Sequence, residues 1–89
     1  MNTTEIATLT AEIATAYMES ARAAKMYLDT RDRAHMVSHT ALFKEADARF
    51  QDLIAADMSS YDGPLRDLRH AIVNMEFSMA EARYSVIAK

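Results

Sequence analysis

An all-α fold is what this sequence predicts: a three-helix antiparallel hairpin or bundle that self-associates. Three observations carry the expectation. Glycine and proline occur once each, and side by side, at Gly63-Pro64. The remaining residues are rich in Ala, Met, Leu, Glu, Arg and Lys, which lose least on entering a helix. No stretch alternates apolar and polar residues between turn signals, as a strand would. The 89 residues read as one helical domain, with an N-terminal helix over 1–28 and a helical hairpin over 40–89.

The first helix begins at Asn2, a capping residue, with Glu5 three positions on to close a capping box. Ile6, Leu9, Ile13, Ala16, Tyr17, Ala24 and Leu28 then form one apolar stripe at 3–4 spacing. It fades near Asp29-Thr30, where no glycine enforces an end. The second helix is clear from Thr40 to Asp57 through Phe43, Ala46, Phe50, Leu53 and Ile54, and Asp32 offers an earlier start. Asp62-Gly63-Pro64 is the one unambiguous break, because proline suits the first turn of a new helix.

The third helix carries the strongest pattern. Leu65, Leu68, Ile72, Met75, Met79, Ala82 and Val86 repeat at 3,4,3,4,3,4, a heptad seam. A second apolar line runs beside it through Val73, Phe77, Ala80, Tyr84 and Ile87. Two lines make an arc wider than one neighbour needs. Either the helix lies in the crevice between the other two, or one line packs inside the protomer while the other meets a second copy. The second arrangement is favoured by size: a 10.0 kDa chain has little interior, and burial barely offsets the entropy of ordering it.

Composition removes several classes of function. There is no cysteine, hence no disulfide scaffold, no thiolate zinc site and no cysteine nucleophile. No apolar run approaches the roughly 18 residues of a membrane span, and the N-terminus lacks the basic region of a signal peptide, so no membrane partner is expected. A net charge of −3 is too mild for a duplex nucleic-acid binder.

The residues that could carry catalysis have plainer uses. His35 and His39 share a helix face, and Asp32 with His35 and Asp67 with His70 echo the acid-x-x-His pairs of di-iron bundles. Such sites also need glutamates projecting inward from two other helices, and Asp67 and His70 lie away from the Leu65/Leu68/Ile72 seam. Glu12, Glu19, Glu45, Asp47, Asp52, Asp57, Glu76 and Glu81 are spread over polar faces, and Glu45 with Arg49 reads as a surface ion pair. Serines and threonines cluster where caps and turns explain them. No enzyme, cofactor or metal is expected. One segment differs: Lys25, Tyr27, Arg31 and Arg33 interleave cations with an aromatic ring near the end of the first helix, and Lys44 opens the second. That mixture suits a nucleotide, whose bases stack and whose phosphates pair with cations. A tyrosine half-buried among solubilising charges has the same composition.

From Tyr27 onward the chain resembles the phage anti-CBASS cyclic-oligonucleotide sponges, small helical-hairpin proteins. In that family a tyrosine precedes a variable loop, a helix opens on an aliphatic–basic pair and runs to Leu-Ile, and a second helix ends in a Trp-Ala-Asn-Ala-like stretch. Here Tyr27 stands before the loop, and Phe43-Lys44 opens FKEADARFQDLI, which ends in Leu53-Ile54. Met79-Ala80-Glu81-Ala82 takes the last position, with Met for Trp and Glu for Asn, and residues 1–26 add a helix. The resemblance implies a homo-oligomer, often a hexamer, in the host cytoplasm, with cyclic di- or trinucleotides in pockets shared by protomers. Tyr27 would stack on a base and Lys44 contact a phosphate, with Arg83 and Lys89 as a second anion site placed by no motif. The function implied is non-enzymatic sequestration that blocks host antiviral signalling. A protein-binding inhibitor such as an anti-CRISPR protein, or a structural helical oligomer without ligand, are the other readings of the same residues.

Overall fold

The computed structural model describes residues 1–88, all helix and short connections: α1 (Thr3–Thr30), α2 (Arg33–Ala56), a 3-10 turn (Met58–Asp62), α3 (Pro64–Val73) and α4 (Phe77–Ile87). Among the described residues there is no strand. The molecule is 42 Å long and about half as wide, set by the α1–α2 hairpin.

The start of α1 forms as its capping residues require. The Asn2 side chain accepts the Glu5 backbone N–H at 2.8 Å and donates its amide to the Glu5 carboxylate at 2.9 Å. The helix ends at Thr30, where it is expected to fade and two residues past the 1–28 bound. It closes where Arg31 turns left-handed at φ 60°, and Asp32 immediately caps α2 by accepting the Ala34 N–H at 3.0 Å. The second helix thus starts at the earlier of the two positions the sequence offered, seven residues before Thr40. The break at Gly63-Pro64 is present, with Pro64 in the first turn of α3. Ahead of it, the Asp57 carboxylate accepts the hydroxyls of Ser59 and Ser60, both at 2.8 Å, and holds the 3-10 turn.

α1 is the spine. α2 lies along one side of it and α3 with α4 cover another. Its buried arc is therefore broader than one stripe: Ile13, Ala14, Tyr17, Met18, Ser20, Ala21 and Ala24 are all enclosed. Several of these are small and let neighbouring backbones approach. The expected stripe holds at Ile13, Tyr17 and Ala24 but opens at its end, where Leu28 is exposed. Phe50 and Leu53 of α2 and Leu65, Leu68 and Ile72 of α3 complete the core.

The C-terminal third corrects the expectation of one unbroken helix. The chain turns at Asn74–Glu76, giving four α-helices instead of three. The turn is a Schellman closure: the Met75 N–H reaches the Ile72 carbonyl at 3.0 Å and the Glu76 N–H reaches that of Ala71 at 2.9 Å. Met75 takes the left-handed position at φ 58°, which normally favours glycine. The heptad seam is cut there. Beyond the turn the second line faces inward, with Ala80 buried and Phe77, Tyr84 and Ile87 packed against the core. The seam continues outward: Met75, Met79 and Val86 are 41%, 44% and 68% exposed, and Val73 beside them 52%.

Candidate functional site

Tyr27 lies near the end of α1, partly buried, with the Arg31 guanidinium 6.0 Å from its ring centre. Lys44, expected to open the second helix, is instead exposed in the middle of α2, eleven residues past its start at Arg33. The hairpin register is fixed by His39, whose Nδ1–H donates to the Ser20 carbonyl at 2.8 Å. From that level Tyr27 is seven residues toward the turn and Lys44 five residues away from it. From the Tyr17–Asp47 bond the offset is smaller, ten residues against three, so at about 1.5 Å of rise per residue the two stand roughly 10 to 18 Å apart along the hairpin. One chain does not bring them together. Arg83 is exposed on α4, next to Tyr84, whose hydroxyl meets that of Thr15 at 3.0 Å. Lys89 lies outside the described residues.

What the fold does assemble is a polar clamp at the junction of α1, α2 and α3. Tyr17 donates its hydroxyl to Asp47 Oδ1 at 2.5 Å. Arg69 grips the same carboxylate with two bonds, Nε to Oδ1 at 2.8 Å and Nη2 to Oδ2 at 3.0 Å. Aromatic rings wall it in. Phe43 meets Tyr17 edge-on at 5.5 Å and lies 5.1 Å beneath the Arg69 guanidinium, and Phe50 meets Tyr17 edge-on at 6.2 Å.

The environment sets each proton. Burial, reinforced by the Asp47 carboxylate, pushes the Tyr17 phenol far above its ordinary value. Burial alone would raise Asp47. The hydrogen bonds from Arg69 and then Tyr17, with the guanidinium charge, outweigh it and hold the carboxyl below its usual range. The bond to Asp47 in turn raises Arg69. The phenol is held protonated and the carboxylate ionised and paired, and together they brace α1, α2 and α3 against one another. Among the described residues no buried side-chain nitrogen or oxygen is left without a partner.

Asp47, expected on a polar face, is partly buried in this clamp, with Arg69 as its partner. The signal was in the spacing. Phe43, Asp47, Phe50 and Ile54 fall at 4,3,4, so Asp47 sits in phase with the apolar stripe of α2. Glu45 and Arg49, by contrast, form the expected exposed pair at 2.9 Å. Among the described residues no three His, Asp or Glu side chains gather to hold a metal.

The remaining concavities are open clefts. One of about 370 Å³ lies between α2, the 3-10 turn and α3, with Tyr61, Arg66, Arg69 and His70 on its walls. Its guanidiniums are engaged, Arg66 with Asp62 at 2.6 Å and Arg69 with Asp47. A smaller one of about 100 Å³ sits between α1 and α4, flanked by Arg22, Lys25 and Glu81. Tyr27, Lys44 and Arg83 line neither. No helix is long and apolar enough to cross a membrane among the described residues. No protein-family model, curated protein or solved structure matches this chain.

Proposed function

We propose that this is a non-enzymatic phage-type sponge: copies assemble, and at their boundary they bind and sequester cyclic di- or trinucleotide messengers in the host cytoplasm, blocking CBASS-like signalling. The observation that carries the reading is the outward seam of α4. Met79, Ala82 and Val86 form an apolar stripe on α4 and Met75 is exposed in the turn before it; the single chain leaves all four uncovered, which suits contact with another copy. The separation of Tyr27 from Lys44 fits the same arrangement. A ring to stack on and a cation to pair with come within reach of one guest when two protomers each supply one of them. Affinity would then come from stacking, charge-assisted phosphate bonds and exclusion of water.

The test is mass in solution, by light scattering, with and without a panel of cyclic di- and trinucleotides, alongside thermal melting. Assembly at micromolar concentration, a raised melting temperature with one nucleotide class, and recovery of that nucleotide intact after heating would support the reading. A monomer indifferent to every nucleotide would end it.

A second reading follows from the clefts. They are shallow, and the guanidiniums of the largest polar one are already paired, so the α4 stripe could instead cover a host effector surface, as an anti-CRISPR protein does. A host protein that co-purifies in fixed proportion, with no nucleotide shifting the melt, would favour it.

A further inference from the structure

We infer that the α3–α4 turn is a hinge and that two copies of this chain exchange α4 through it, so the partner seated on the inner face of α4 is α1 of a second copy. The inference deepens the assembly reading above and rests on it.

Sequence and structure disagree at one place. The heptad from Leu65 to Val86 runs without interruption through Asn74–Glu76, and nothing there but Asn74 is a poor helix former. A straight helix would span 64–87. The folded chain breaks it with a three-residue turn, and Met75 holds the left-handed position that a side chain resists. Short connections under strain favour exchange of the element beyond them.

Opening the turn releases that strain and extends α3 into α4 as one rod. The inner line of Phe77, Ala80, Tyr84 and Ile87 then leaves its own α1 and needs an identical groove. A second copy supplies it. The same contacts re-form across copies, Tyr84 with Thr15 and Glu81 with Arg22, now 3.0 Å and 3.8 Å within one chain. The exchanged dimer therefore keeps the interface energy of the closed chain and loses the left-handed Met75 twice. It also gives the outer seam a use, because two straightened rods crossing near their hinges place Met75 and Met79 of each beside the other.

Two surface variants test the exchange. Copies carrying only Arg22→Cys are refolded together with copies carrying only Glu81→Cys and treated with a short thiol-specific crosslinker. Exchange predicts mixed covalent dimers in excess of either self-linked product. It also predicts that adding Met75→Gly, which tolerates the left-handed turn and weakens the straight rod, cuts their yield by about tenfold or more. Dimers by light scattering without mixed crosslinks would overturn the exchange while leaving self-association standing. A monomer at every concentration would overturn both, and mixed crosslinks indifferent to Met75→Gly would overturn the hinge.

Discussion

Tyr17 and Asp47, thirty residues apart in sequence, share a 2.5 Å hydrogen bond where three helices meet, with Arg69 closing the carboxylate from the other side. This relationship ties the hairpin to α3 and makes stability depend on pH at both ends. Asp47 titrates lower in the folded chain than in the unfolded one, near 3.9. Its contribution is complete above about pH 5 and is lost as pH falls through the folded value. Tyr17 titrates higher when folded than its unfolded value of about 10. Its contribution is complete below that value and declines as pH rises past it. Urea midpoints measured from acid to alkaline pH should plateau near neutrality and fall on both sides. Tyr17→Phe should flatten the alkaline side, and Asp47→Asn the acid side.

Removing the carboxylate should cost more than removing the phenol hydroxyl. Asp47→Ala leaves Arg69 unpaired and Tyr17 without an acceptor. The Arg69 side chain is 41% exposed, so water softens the loss to about 1–3 kcal/mol rather than the 3–5 of a fully buried pair. Tyr17→Phe should cost about 1 kcal/mol. Chemical denaturation of the two variants and their double mutant checks both values, and additivity would show that the clamp does not act as a unit.

Polar substitution of the outer seam should separate folding from assembly. Met79→Ser with Val86→Ser replaces exposed side chains and should move the stability of the single chain by no more than about 0.5 kcal/mol. Solution mass at micromolar concentration should fall toward that of the α4-exchanged dimer, whose inner-face contacts these substitutions leave intact. An unchanged mass would remove the seam from the interface.

The proposed ligand contacts make a paired prediction. Lys44→Glu and Tyr27→Ala should each weaken binding of the preferred cyclic nucleotide about tenfold or more in calorimetry, with the helical circular dichroism retained. In the proposed arrangement the two groups reach one guest from different protomers, so each variant should still supply the other half in mixed assemblies. Unchanged affinity in a folded Lys44→Glu protein would take that lysine out of the site.

Much of the architecture was legible because it follows from local rules. The Asn2 cap, the Gly63-Pro64 break and the stripes through Phe43, Phe50, Leu53, Leu65, Leu68 and Ile72 are each set by a few neighbouring residues. The turn at Met75 was not legible. It is closed by backbone hydrogen bonds, has no glycine to mark it, and exists because Phe77, Ala80 and Tyr84 gain contact with α1, a tertiary effect that overrides the heptad. The clamp was half-legible. Asp47 shows itself in the phase of α2, but its partners come from Tyr17 and Arg69 on other helices, and spacing within one helix does not name them. Tyr27 and Lys44 were readable as a chemical mixture, and their separation depends on a register that only the folded hairpin fixes.

The two-residue link at Arg31–Asp32 also sets a timetable. Pairing of α1 with α2 closes short loops: Ser20 and His39 are nineteen residues apart. Docking of α4 closes a span of sixty-nine, from Thr15 to Tyr84. Contacts near in sequence form soonest, so the hairpin zips while the C-terminal helix is still searching. Substitutions in the hairpin register should therefore slow refolding, whereas those beneath Ala80 should chiefly hasten unfolding.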